Sequence, residues 1–185
     1  VLKVARFGYD GKGQFRVAAG DEALDAFRKV GGKACVLEAL LPLDCEVSVV
    51  LARDANGAAE CFPVAENSHT HGILDMSIVP ARISPALAKF ARECALRIAT
   101  ALDFIGTLGV EFFISQGELY VNEMAPRPHN SGHYTLDATN ISQYEQQVRA
   151  LCGLPLGSPV LLRPAVMVNL LGDLWSDGKP KWSRL

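Results

Sequence analysis

The stretch "RDANGAA", Arg53 to Ala59, most constrains what this chain can become. Its Asp-Ala-Asn-Gly core, Asp54 to Gly57, combines residues that tolerate a left-handed backbone. It separates two strand-like runs, Cys45–Arg53 and Ala59–Ala65. A turn of this kind makes its flanking strands antiparallel neighbours. A second hairpin is predicted where Thr107–Ile114 and Glu118–Glu123 flank Gln116-Gly117. Between the hairpins the spacing predicts a helix from Pro85 to Phe104, closed by Gly106. Ser84 is its N-cap, and Pro85 fits a first turn where no N–H is needed. Hairpins interleaved with helices predict an α+β fold and argue against a strictly alternating parallel sheet.

The remaining elements follow the same punctuation. Val1–Ala5 and Phe15–Ala18 read as strands on either side of a glycine loop. Asp21 is the expected N-cap of a helix to about Val30, ended by Gly31-Gly32. Ala34–Leu40 reads as a strand stopped by Pro42, and Glu66–Ile83 as irregular chain. Ser142 with Glu145 forms a capping box for a helix ending near Gly153, and Pro164–Leu171 is a last strand. The expected organisation is a smaller lobe over 1–56, a larger lobe over 57–157 and the start of another domain over 158–185.

Composition removes several classes of function. With 49% hydrophobic and 21% charged residues, the 185-residue chain has a soluble globular profile. A net charge of −2 without long runs of one sign argues against a nucleic-acid tract or a polybasic membrane patch. Lys89, Arg92 and Arg97 break the most apolar window, so no bilayer span is expected. Cys35, Cys45, Cys61, Cys94 and Cys152 form no CxxC pair and read as reduced thiols of a cytoplasmic protein. The chain opens on a strand already in progress and stops without a closing element, which is the expectation for a fragment of something longer.

Three segments can carry chemistry. In "FGYDGKGQ", Gly8, Gly11 and Gly13 let backbone N–H groups approach an anion, with Tyr9, Asp10, Lys12 and Gln14 interleaved. Lys12 is followed by Gly13, so this is neither a Walker A loop nor a GxGxxG dinucleotide fingerprint. A plain solvated hairpin is the competing reading, and Lys3 is a second candidate phosphate contact. If the second hairpin centres on Gly117, Glu111 and Glu123 face each other across the strands. Like charges so placed are unfavourable unless a cation such as magnesium sits between them. A one-residue slip would split them to opposite faces. Asn122 offers an amide oxygen beside the pair. In "APRPHNSGH", Arg127, His129, Asn130, Ser131 and His133 form a proline-stiffened polar loop suited to an anion. Pro and Gly around His129-x-x-x-His133 deny the helix a zinc pair needs. Glu38, Glu46 and His69 are polar residues that the local pattern leaves open between solvated loop and ligand contact. A backbone stretch such as Ala39, Leu40 and Leu41 can offer a donor and an acceptor to an adenine edge.

Together "LKVARFGYDGKGQ", "VLEALLPLDCEVS", "AENSHTHGILDMS", "GTLGVEFFIS" and "LYVNEMAPRPHNSGHYTLDA" resemble consecutive segments of ATP-grasp ligases, in order from Val1 to Leu171. Within them the similarity is greatest to the 5-(carboxyamino)imidazole ribonucleotide synthase family. The resemblance implies an ATP-grasp fold of two α+β lobes. It also implies ATP with magnesium, or manganese in its place, as cofactors. The substrates it implies are bicarbonate and 5-aminoimidazole ribonucleotide, and the parent enzyme is a homodimer in purine biosynthesis. It assigns Lys3 and Gly8, Tyr9, Asp10, Gly11, Lys12, Gly13 and Gln14 to the ATP phosphates. Glu38, Ala39, Leu40 and Leu41 go to adenine, Glu46 to ribose, and His69, Asn122 and Glu123 to the nucleotide. Glu111 and Glu123 go to the metal. Arg127, His129 and Asn130 go to bicarbonate chemistry, and Tyr9, Asp10 and Lys12 reach toward the ribonucleotide. It further implies an additional N-terminal domain and a longer C-terminal part. The competing expectations are another ATP-grasp enzyme, such as a formate-using glycinamide ribonucleotide ligase, and a nucleotide-binding fragment without catalysis.

Overall fold

A computed structural model of the protein describes residues 1–6 and 13–172. The expectations for Gly8, Tyr9, Asp10, Gly11 and Lys12 fall outside those residues. Two antiparallel sheets organise the chain. The smaller has the order β2-β1-β3, from β1 (Leu2–Val4), β2 (Gln14–Phe15) and β3 (Cys35–Leu37). Helix α1 (Gly20–Lys29) packs beside it through Ala26, and Val30 at its C-cap is also buried. The larger sheet runs β10-β7-β6-β4-β8-β9, with β5 paired to β4. Its strands are β4 (Cys45–Arg53), β5 (Ala59–Cys61), β6 (Ala65–Thr70), β7 (Ile73–Val79), β8 (Gly106–Ser115), β9 (Glu118–Ala125) and β10 (Ala165–Val168). Helix α2 (Pro85–Ala101) covers one face, while a 3-10 helix (Asn130–Leu136) and α3 (Gln143–Leu151) lie over the other.

The side-chain alternation of β4 explains the two layers. Val47, Val49 and Leu51 point to one core with Ala91, Cys94, Ala95 and Ala99 of α2. Val50, on the opposite face, packs with Phe62, Tyr134, Ala138 and Ile141. Each Val, Leu, Ile or Phe among them contributes roughly 1.5–3 kcal/mol on full burial. Ahead of Val50 on that second face, Glu46 and Ser48 break the apolar series, and the polar site begins there.

The α+β expectation holds, and both hairpins form. The Asp54 carboxylate accepts the Asn56 and Ala58 N–H groups at 2.9 Å each, closing the first turn. Gln116 and Gly117 both take positive φ, 52° and 78°, in the second. Ser84 caps α2 by accepting the Leu87 N–H, and Ser142 caps α3 by accepting that of Glu145. Other boundaries move. The strands expected at Phe15–Ala18 and Ala34–Leu40 shrink because both pair with a three-residue β1. Helix α1 starts at Gly20 with Ala19 as N-cap, in place of Asp21, and the Glu22 carboxylate accepts the Ala18 N–H. The return strand Ala59–Ala65 breaks at Pro63, which has no N–H for the ladder, into β5 and the start of β6. Helix α2 ends at Ala101, and Asp103 at φ 47° makes the reversal, so Gly106 opens β8. The last strand covers only Ala165–Val168. The largest correction is Glu66–Ile83. It forms the β6–β7 hairpin, with His71 and Gly72 at positive φ in its turn and a bulge after Ser68.

Candidate functional site

The site lies on the second face of the large sheet, where five elements bring titratable groups together. Glu46 of β4 and His69 of β6 meet with Nδ1 2.8 Å from Oε2. That hydrogen bond raises the His69 pKa above its ordinary value against the opposing cost of burial. Glu111 of β8 is directly opposite Glu123 of β9. The way this pairing arises is instructive. The two-residue turn at Gln116-Gly117 sets Ser115 against Glu118 and Phe112 against Val121, a register that would oppose Glu111 to Asn122. A bulge between Glu111 and Phe112 inserts one extra residue and brings Glu123 into place. The acid pair therefore exists because the strand is irregular there, and Asn122 is turned to its own task.

Glu111 is buried to 8% exposure, and burial together with the Glu123 charge pushes its carboxyl up to about 7. Two carboxylates that resist being ionised together fit a divalent cation. Among the described residues no group of three or more His, Cys, Asp or Glu ligands surrounds them. A facing pair of carboxylates is a donor set that a hard divalent cation can use, with water or phosphate oxygens completing its shell.

His129 approaches from the loop after β9, its Nε2 3.7 Å from Glu111. Its Cβ rests on the bare backbone of Gly109, where an added Cβ would come within 2.8 Å. Nδ1 accepts the Ser131 N–H at 3.3 Å and lies 2.9 Å from the Ser131 hydroxyl. This leaves the proton on Nε2. Burial, reinforced by the nearby Arg127 charge, lowers the His129 pKa to about 4. At neutral pH the imidazole beside Glu111 is therefore uncharged, and the 3.7 Å contact is not an ion pair. Arg127 is exposed, with Nη1 donating to the Pro128 carbonyl at 3.0 Å. The Asn130 side-chain oxygen is buried and has no hydrogen-bond partner among the described residues.

The small sheet reaches the same place through one residue. Lys3 Nζ is 2.7 Å from Glu38 Oε2, donates to Asn122 Oδ1 at 3.1 Å and lies 5.8 Å from the centre of the Phe113 ring. Lys3, Glu38, Asn122, Glu123, Glu111, His129, His69 and Glu46 thus border one continuous polar strip. Ala39 and Leu40 are exposed, and Leu41 is half-buried in the link to β4. Gln14 lies in β2 opposite Lys3, and the positive φ of Gly13, 75°, places it in the turn before β2. Two participants were not foreseen. Phe113 stacks under Lys3, and Gln143 of α3 holds the His129 backbone. The second had a signal, because Gln143, Gln146, Gln147 and Ala150 recur at helical spacing on the face α3 buries.

The ATP-grasp domain family matches residues 1–144. The chain belongs to the ATP-grasp family. It is 49% identical over 174 residues to the N5-carboxyaminoimidazole ribonucleotide synthase of Bacillus subtilis, which covers 94% of this chain and 46% of that protein. The ATP-grasp fold is also that of the N5-carboxyaminoimidazole synthetase of Staphylococcus aureus crystallised with ADP. That structure has a TM-score of 0.87 at 42% identity, over 95% of this chain and 48% of the other. The synthase of Aspergillus clavatus, solved with ADP and 5-aminoimidazole ribonucleotide, superposes with a TM-score of 0.84 at 28% identity. Here 92% of this chain and 45% of the other are covered. The chain spans about half the length of the curated relatives it matches. No helix among the described residues is long and apolar enough to cross a membrane.

Proposed function

We propose that this chain is the nucleotide and carboxylation core of an N5-carboxyaminoimidazole ribonucleotide synthase. The intact protein joins bicarbonate to 5-aminoimidazole ribonucleotide at the expense of ATP. The observation that carries this reading is the polar strip of acids, neutral imidazole and lysine on one sheet face. It occurs in a chain 49% identical to such a synthase. A bicarbonate oxygen attacks the γ-phosphorus and the bond to the β–γ bridging oxygen breaks, releasing ADP and leaving carboxyphosphate. The ribonucleotide amine then attacks the carboxyl carbon, its proton is lost, and phosphate departs. Little covalent work falls to the protein, so positioning and charge neutralisation dominate.

Lys3 is suited to a phosphate oxygen from its place between Glu38 and Asn122. The exposed link at Ala39 and Leu40, between Glu38 and Leu41, suits adenine, and Glu46, steadied by His69, suits ribose hydroxyls. Glu111 and Glu123 would hold magnesium, or manganese in its place. When bound, the ion offsets phosphate charge. The exposed guanidinium of Arg127 and the Nε2–H of His129 would grip the bicarbonate-derived anion, with Asn130 alongside. Tyr9, Asp10 and Lys12 would face the ribonucleotide.

The test is ATP hydrolysis by the intact protein with each substrate withheld in turn. Turnover is expected to require both bicarbonate and 5-aminoimidazole ribonucleotide. Hydrolysis indifferent to the ribonucleotide, or supported by formate with glycinamide ribonucleotide, overturns the assignment.

A further inference from the structure

His129 owes its aim to a single side chain on another element. Gln143, the first residue of α3, is fully buried. Its Oε1 accepts the His129 N–H at 2.8 Å, and its Nε2 donates to the His129 carbonyl at 2.8 Å. One amide thus grips both backbone polar groups of one residue. The backbone of Gln143 is itself held. The Gln143 N–H donates to the Thr135 hydroxyl at 3.0 Å, and its carbonyl accepts the Thr107 hydroxyl at 3.1 Å. Thr107 belongs to β8, the strand that carries Glu111, so the clamp is referenced to the same strand as the acid. Gly132 completes the fit, since a Cβ there would meet Gln143 Oε1 at 2.6 Å.

We propose that Gln143 is a positioning residue that locks the His129 backbone, and through it the direction of the imidazole Nε2–H toward the reaction site. This goes further than the functional reading above and rests on it for its kinetic consequence. An ordinary buried polar residue would brace a loop somewhere. This one grips the residue whose ring faces Glu111, from both sides, leaving its backbone no freedom to turn. Rotation of His129 would take its Nδ1 from the Ser131 N–H that fixes the tautomer. A misplacement of about 1 Å in such a group is worth on the order of 100-fold in rate.

The test uses the intact protein with Gln143→Leu and Gln143→Glu. Gln143→Leu removes both bonds at similar volume. A drop in kcat of about 10- to 100-fold is expected, with the KM for bicarbonate raised and that for ATP unchanged. Equal changes in all constants, tracking the folded fraction, would show a merely structural residue and overturn the proposal. Gln143→Glu keeps the acceptor, but opposes a carboxylate oxygen to the His129 carbonyl unless that carboxyl is protonated. Its activity relative to wild type should rise as pH is lowered from about 8 to about 6, and a flat ratio counts against the clamp. If Gln143→Leu does not fold, the Gln143→Glu profile decides alone. Hydrogen exchange of the His129 amide, slow in wild type and fast in folded Gln143→Leu, which alone lacks the acceptor, reports the clamp without any turnover. It therefore stands even if the assigned reaction fails, and slow exchange in folded Gln143→Leu overturns the clamp.

Discussion

The loop from Arg127 to Leu136 and the small sheet β1–β3 border the same polar strip, yet they are held in different ways. The loop is gripped from behind. Gln143 fixes His129, Thr135 donates to the Gly132 carbonyl at 2.7 Å, and Tyr134 donates to the Pro63 carbonyl at 2.7 Å. Its key residues His129, Ser131, Tyr134 and Thr135 are buried. The small sheet has strands of two or three residues and leaves Val36, Leu37, Leu40 and Leu43 exposed. Its link to the site runs through Lys3, whose partners are half-exposed. The loop, the proposed anion side, is held by the chain itself, whereas the small sheet, the proposed nucleotide side, presents exposed surface. Preorganised charge is most effective where charge develops during reaction, which is the role proposed for the loop.

The sharpest probe of the reaction side is Glu123→Gln. It leaves Glu111 without its charged partner across the strands, and the Glu111 carboxyl then falls only part of the way back, because burial, the larger cause of its shift, remains. Magnesium-dependent turnover of the intact protein should fall by at least about 100-fold, read from a magnesium titration of ATP hydrolysis. Turnover within a few-fold of wild type would remove the pair from the metal site.

Gly109→Ala comes next and tests the rigidity of the loop directly. The new Cβ meets His129 Cβ at 2.8 Å, with the His129 backbone unable to give way. Overpacking of this kind costs about 1–3 kcal/mol, and kcat should fall with it, as seen by thermal melts and kinetics. A silent substitution would mean that the loop moves easily and the contrast with the small sheet is false. Lys3→Met probes the other side. Its pairs are too exposed for more than about 1 kcal/mol of stability, so the melt should barely shift while nucleotide affinity drops about tenfold. The comparison fails if Lys3→Met destabilises as much as Gly109→Ala.

Much of this was legible from residue types. The turns "DANG" and "QG" declared two hairpins, and the Ser caps declared two helices. The acid pair, the polar loop and Lys3 were all recognisable as candidates. What stayed hidden depended on tertiary contact. The β6–β7 hairpin looked irregular because its inward face carries Asn67 and His69 in place of apolar residues, so the usual alternation of buried and exposed character is masked. The pairing of Glu111 with Glu123 was expected from a turn centred on Gly117. The chain reaches it by a different route, a tighter turn corrected by a bulge, and local pattern does not reveal a bulge. The Gln143 clamp needed α3 folded onto β8 before either of its bonds could exist.

The smallest effect concerns the scaffold that carries both sides. Glu66 of β6 receives the Arg82 guanidinium and the Arg82 backbone N–H. That hydrogen bonding holds the Glu66 carboxyl below the usual carboxylate range, against the cost of its burial. A carboxyl depressed in the folded state contributes stability above its unfolded pKa of about 4.3, and loses it as pH falls through the lower folded value. Wild type should therefore lose stability more steeply than Glu66→Gln on acidification below about pH 5, measured by urea unfolding across that range. The two proteins should converge at the acid end. Glu66 sits one residue from Asn67, yet its partner lies beyond β7, away from Glu111 and His129. Kinetic constants at neutral pH should then be shared by both proteins. A change in the bicarbonate KM of Glu66→Gln would show that the sheet under the site yields to small perturbations, and that the stiffness of the loop above it is not its own.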